Sequence, residues 1–211
     1  RLENNPIVLV STIHEFLWDC IKSFNKQLIV EFDAINTIKH EDKSEKYNLG
    51  LADRITRVDY TDRSFSDFEA GTVGHDDLIT LALRMFQNYE LLTNILSSKF
   101  PFLLVDEYQD TAPETISAFL DNLLNRHKEK VVLGFYGDSH QKIYDTGVGS
   151  LQNYVDNNTI DLIKKEENYR SSVSVIDLLN NIRTNIKQVI PDGIVEVEGS
   201  IEFINCINYP E

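Results

Sequence analysis

The chain has 211 residues, with 20 Lys plus Arg against 34 Asp plus Glu, a formal charge of −14. That length suits one large domain or two small ones, and 42% hydrophobic with 26% charged residues describes a folded protein, not a disordered one. The acidity argues against a sequence-independent basic clamp on nucleic acid, no apolar run reaches the roughly 20 residues of a membrane span, no signal peptide opens the chain, and Cys20 and Cys206 are too few for a disulfide framework. A reducing, cytoplasmic setting is the default expectation. Because the first residue is Arg1, the chain reads as a piece of something longer.

In chain order, the first signal is the apolar run Ile7-Val8-Leu9-Val10, which predicts a buried strand. Thr12 and Glu15 then make a capping box, and Ile13, Phe16, Leu17, Cys20, Ile21 and Phe24 recur at helical spacing. Strand, tight turn and helix are the unit of a parallel sheet. From about Glu31 to Asp77 the periodicity weakens and acidic residues accumulate, so this stretch reads as an insertion with short helices and a mobile loop near Arg63–Gly74. A second amphipathic helix starts near Asp76-Asp77 and carries Leu78, Leu81, Ala82, Met85, Tyr89, Leu92 and Leu96 on its apolar face.

The run Phe102-Leu103-Leu104-Val105 predicts a strand that ends in Asp106-Glu107. Thr111 and Glu114 suggest another capping box, with Pro113 in the first turn of a helix through Ile116, Leu120, Leu123 and Leu124. A further apolar run, Val131 to Tyr136, ends in Gly137-Asp138. The segment Ile160-Asp161-Leu162-Ile163 is a last strand signal, and a helix bearing Val175, Ile176, Leu179, Ile182 and Ile186 follows Ser172. Alternation around Gly199-Ser200 predicts a terminal hairpin.

A strand ending in Asp-Glu can present one carboxylate to magnesium and a second that activates water against a terminal phosphate. Alone that pattern is equally a solvated strand end. Its neighbours sharpen it: Asp106–Thr111 reads DEYQDT, Gly137–Tyr144 reads GDSHQKIY and Asn168–Ser172 reads NYRSS. These blocks, in this order, resemble motifs two, three and four of the UvrD/Rep-type superfamily 1 helicases. Thr12-Ile13-His14-Glu15-Phe16 resembles their T-x-H-x-F single-strand motif, and Gly74-His75-Asp76-Asp77-Leu78-Ile79 resembles the D-D-L segment before their Asp-Glu box.

The resemblance implies an α/β fold: a RecA-like P-loop NTPase motor domain with a parallel sheet. Residues 1–27 and 76–165 would belong to that first motor domain, 28–75 to an inserted subdomain and 166–211 to the start of a second motor domain. It also implies ATP and Mg2+ as cofactors and single-stranded or partially duplex DNA as partner, with a nuclease or repair protein as a possible companion and no membrane. Asp106 would bind magnesium and Glu107 would be the base. Gln109 would lie by the nucleotide and, with Asp110, couple it to DNA. Gln141 would sense the γ-phosphate, Arg170 would be the arginine finger and Tyr169 would stack on adenine. Thr12, His14, Phe16 and Tyr144 would meet the DNA strand.

Plainer roles compete. His14 could be a surface residue and Phe16 a core one, His75 and His140 read as solvated, and Arg170 could simply pair with Glu166 or Glu167. The chain also contains no G-x-x-x-x-G-K-S/T loop, which in the family precedes the T-x-H-x-F motif, and motifs five and six are absent. Tyr144 is followed by Asp145-Thr146-Gly147-Val148 where the family carries a second aromatic and Arg-Gly-Ala. The leading expectation is therefore a fragment of an ATP-dependent helicase or translocase, inactive by itself. The alternative is a helicase-like scaffold without ATPase activity, which the charge and the altered motif three favour.

Overall fold

Thr12 opens helix α1 (Ile13–Ile21) as the sequence predicts: its hydroxyl accepts from the Glu15 N–H, and the Glu15 carboxylate accepts from the Thr12 N–H. The computed structural model describes residues 8–40, 50–183, 185–194 and 197–204. They divide into two compact units, Arg1–Asn153 and Tyr154–Glu211.

In the first unit α1 is followed by α2 (Asn25–His40), β1 (Asp59–Tyr60), β2 (Thr72–Val73), α3 (His75–Asn88) and α4 (Glu90–Lys99). Then come β3 (Phe102–Val105), α5 (Pro113–Ser117) and β4 (Val132–Phe135). Strands β1 and β2 pair in parallel, and so do β3 and β4, with Phe102 opposite Val132 and Val105 opposite Phe135. The core lies around α3: Leu78, Leu81, Met85 and Phe86 pack with Leu17 and Ile21 of α1, Leu28 and Phe32 of α2, and Phe119. Residues from the predicted insertion, including Ile35, Leu51, Val58 and Phe68, share this core.

Several expectations need correction. Val8, Leu9 and Val10 form no strand and are exposed, Leu9 at 52%, because no neighbouring strand among the described residues takes their backbone hydrogen bonds. The predicted single helix through Leu96 is two, broken at Tyr89, whose backbone is extended (φ −124°, ψ 91°). The Tyr89 hydroxyl donates to Glu31 of α2, so a tertiary contact accompanies the break. The Thr111–Glu114 capping box is not formed: Ala112 is the cap, and Thr111 is buried. Pro113 does sit in the first turn, and α5 continues as a π-helical stretch over Ala118–Leu124.

Nor is the Arg63–Gly74 segment a loose loop. The His75 N–H donates to the Arg63 carbonyl, the Gly74 N–H to the Ser66 hydroxyl, and the Ser66 hydroxyl to Asp77. Phe68 inserts into the core and stacks on Phe32.

In the second unit, α7 (Val173–Ile182) starts at Ser172 as predicted, but stops before Ile186. α6 (Gln152–Asp156) lies across the boundary between the units. Ile160–Ile163 is not a strand, and Ile163 is almost fully exposed. No hairpin occurs among the described residues of the tail; part of the predicted one, and Cys206, lie outside them. No helix among the described residues is long and apolar enough to cross a membrane.

Candidate nucleotide and nucleic-acid site

Two adjacent parallel strands deliver the site. At the carboxyl end of β3 the chain leaves Val105 and presents Asp106 and Glu107 to solvent. At the same end of β4 it leaves Tyr136 for Gly137-Asp138 and a single 3-10 turn, Ser139–Gln141. Two backbone bonds lock the exits together, from Tyr136 N–H to the Val105 carbonyl and from Tyr108 N–H to the Tyr136 carbonyl. The crevice outside the carboxyl ends of parallel strands is where open α/β sheets bind ligands.

Glu107 has left-handed backbone geometry (φ 48°), rare for a residue other than glycine and costing about 1 kcal/mol or more. That turn sends the chain into the short helix Tyr108–Asp110 and folds Gln109 inward, where it is 1% exposed. Its amide is used at both ends. Nε2 donates to Glu107 Oε2 at 2.7 Å, and Oε1 accepts from the Asp138 N–H at 3.1 Å. A Cβ at residue 137 would lie 2.1 Å from that Oε1, so Gly137 is what lets β4 approach.

Asp110 Oδ1 accepts from the N–H groups of Ile143 and Tyr144, at 3.0 and 3.3 Å. Val148 and Gly149 donate to the carbonyls of Thr111 and Gln109. Gly147 is buried against Gln109 and Asp110, where a Cβ would come within 2.4 Å of the Gln109 carbonyl. The departure from the family pattern after Tyr144 is thus a loop packed on the Asp-Glu segment, and Tyr144 stands 60% exposed above it. Burial, then the charge of Asp138, pushes the Tyr108 phenol above its ordinary range.

The Asp106 carboxylate fits a hard cation that retains water ligands: Oδ1 accepts from the Glu107 N–H, and Oδ2 makes no hydrogen bond with the described residues. Three or more His, Cys, Asp or Glu side chains converge nowhere among the described residues.

The T-x-H-x-F residues sit on α1. Thr12 is exposed at its start. The Phe16 ring is 9% exposed and meets Phe100 and Phe119 edge-on, the core placement that competed with its expected DNA contact. His14 is half-buried, its ring stacked on His75 with centroids 3.3 Å apart, and its Nε2 is buried without a partner. Burial, and then the neighbouring His75, lower its pKa to about 4. His75 in turn lies 3.0 Å from the Tyr60 hydroxyl, which donates to Asp62. It is not the solvated residue that the sequence suggested.

In the second unit, Tyr169 and Arg170 are exposed beside Asn168, whose side-chain oxygen accepts from the N–H groups of Arg170 and Ser171. Lys165 lies 5.5 Å over the Tyr169 ring, and neither Glu166 nor Glu167 pairs with Arg170 among the described contacts. The residue that sequence reasoning passed over is Asp138. The signal was present, since an Asp directly before a helical turn is a cap.

The chain is similar in sequence to known proteins. Residues 21–159 match the family described as the UvrD/REP helicase N-terminal domain. The Gabija protein GajB of Bacillus cereus is 25% identical over an alignment covering 90% of this chain and 40% of that protein. The ATP-dependent DNA helicase PcrA of Staphylococcus aureus is 28% identical, with 82% of this chain and 24% of that protein covered. The RecBCD enzyme subunit RecB of Buchnera aphidicola is 29% identical over 51% of the chain and 9% of that protein. The chain therefore spans well under half the length of these relatives. More than half of it matches the family's N-terminal domain in sequence, and by that match the chain belongs to the UvrD/Rep helicases.

Proposed function

We propose that the protein containing this chain is an ATP-dependent DNA helicase or translocase that couples ATP hydrolysis to 3′ to 5′ movement on single-stranded DNA. The observation that carries this reading is the meeting of two parallel strand ends. They set Asp106, Glu107, Gln109, Asp110 and Gln141 in one hydrogen-bonded cluster with Tyr144 beside it. Magnesium would supply charge neutralisation of the ATP phosphates, held through Asp106. Glu107 would accept a proton from water, and its grip by Gln109 fixes the carboxylate's direction. Gln141 and Arg170 would donate to phosphate oxygens, and Tyr169 would offer a ring to adenine. Thr12, His14 and Tyr144 would meet the strand, with Asp110 holding the Tyr144 loop to the acidic segment.

Residues 1–27 and 76–165 would form the first motor domain, with 28–75 inserted yet sharing its core, and 166–211 would begin the second motor domain. A nuclease or repair protein is a fitting companion in the cytoplasm, since the related RecB is a subunit of a larger enzyme. In the full-length protein, Glu107→Gln should leave ATP affinity within about threefold of wild type while DNA-stimulated turnover falls by 10²-fold or more. Turnover within a few-fold of wild type would remove Glu107 from the role of base.

A scaffold without ATPase activity is the second reading, favoured by the net charge of −14 and the altered sequence after Tyr144. Absence of DNA-stimulated hydrolysis by the wild-type protein would select it.

A further inference from the structure

Asp138 is neither the proposed base nor the proposed phosphate-sensing amide, yet it touches the second directly and reaches the first through Gln109. Its backbone N–H donates to Gln109 Oε1 (3.1 Å), and the same Gln109 amide holds the Glu107 carboxylate through Nε2 (2.7 Å). Its side chain faces the other way. Oδ2 accepts from Gln141 Nε2 at 3.0 Å, and Oδ1 accepts from the His140 N–H at 3.1 Å, capping the turn that carries Gln141. The ring nitrogen His140 Nδ1 lies 3.9 Å from the same Oδ1. Glu107, Gln109, Asp138 and Gln141 thus form one continuous chain across the two strand ends.

The chemistry of each link fixes its direction. A carboxylate only accepts, so Glu107 requires the amino end of Gln109, and the Asp138 N–H requires the carbonyl end. Gln109 is buried, so neither end can turn to water in exchange. In the same way the Asp138 carboxylate requires the amino end of Gln141, although Gln141 is exposed and would otherwise sample many rotamers. That amino group has two hydrogens. One is taken by Asp138, which orients the second for an outside acceptor.

We propose that Asp138 is a positioning residue for Gln141, holding its amide turned to donate to a phosphate oxygen and tying that orientation through Gln109 to the Glu107 carboxylate. The role rests on the helicase reading for the identity of the acceptor, but the link itself does not.

The test uses the full-length protein and two variants. Asp138→Ser retains a cap for the turn, because a serine oxygen can accept from the His140 N–H, but it is too short to hold Gln141. Gln141→Ala removes the amide. Asp138→Ser should lower DNA-stimulated kcat by about tenfold or more with KM for ATP within about twofold, and the double variant should be no slower than Gln141→Ala alone. Independent, multiplying losses would overturn the proposal, as would wild-type kcat in Asp138→Ser. A second measurement separates this from failure of the helicase reading: side-chain 15N relaxation of selectively labelled glutamines, without nucleotide. The Gln141 amide should be ordered in wild type and mobile in Asp138→Ser, while the Gln109 amide stays ordered in both. If wild type shows no ATPase yet this contrast appears, the helicase reading fails and the link stands. If the Gln141 amide is equally mobile in both proteins, the link fails whatever the ATPase result.

Discussion

His14 shows how burial changes what a motif residue can do. Its pKa is held at about 4, against 6.5 for a free imidazole, by partial burial and then by the stacked His75; Asp76 and Asp62 oppose the shift but do not cancel it. Between those values the unfolded chain binds the proton and the folded chain does not. Stability therefore falls as pH drops from 6.5 toward 4, and this contribution is flat outside that window. Denaturant midpoints measured from pH 7.5 to 4 should decline less in His14→Phe, which keeps a ring against His75 but cannot titrate. An unchanged pH slope in that variant would mean that other groups carry the acid sensitivity. At neutral pH His14 would meet a DNA strand as a neutral ring, not as a cation. Cys20, by contrast, is legible as a core residue in the sequence, and burial pushes its thiol up to about 12.

Arg170 poses the clearest residue-level test of a motor. A guanidinium can donate two parallel hydrogen bonds to phosphate oxygens, and such fingers are worth on the order of 10³-fold or more in rate. In the full-length protein Arg170→Ala should cut DNA-stimulated turnover far more than it weakens ATP binding, and Arg170→Lys should rescue little because a point charge cannot reproduce the fork. Near-normal turnover in the alanine variant would exclude the finger role.

At the scale of elements, α2 is bound to α3 by a buried acid. Glu31 is 4% exposed and accepts from Arg84 Nε at 2.7 Å, Asn88 Nδ2 at 2.9 Å and the Tyr89 hydroxyl at 3.1 Å. Removing it strands three donors, so Glu31→Ala should cost about 3 kcal/mol in equilibrium unfolding. The exposed Arg57–Asp59 pair is the control, because breaking it should cost under about 1 kcal/mol. Equal effects from the two substitutions would show that Glu31 is not a structural anchor. Nothing local announced this role: Glu31 stands at the edge of an acid-rich, weakly periodic stretch, and its partners lie 53 to 58 residues away.

Across the whole molecule, burial is uneven. The first unit has a continuous core centred on Leu81, Phe86 and Phe119, whereas Ile176 is the one buried side chain among the described residues of the second unit. Amide exchange should follow that division: α3 should exchange slowest, and α7 should exchange by openings that are several kcal/mol easier. Similar protection in both helices would show that the second unit has cover not seen in this structure. Large exposed apolar side chains also mark one face of the β3–β4 pair, with Phe102 and Leu104 pointing away from the core that Val105 joins.

Local and chemical features were legible in the chain alone: the Thr12–Glu15 cap, β3 and β4, the apolar faces of α1 and α3, and the Asp-Glu and Gln blocks at the strand ends. Each rests on a pattern confined to a few neighbouring residues, such as a cap, a period or a run. Tertiary structure decided the rest. It broke the helix at Tyr89, left Val8–Val10 without a strand, stacked His14 on His75 and joined Glu107 to Gln141 through Gln109 and Asp138. These depend on partners distant in the chain, and a backbone or side-chain polar group takes its final place only when the packed structure supplies its donor or acceptor.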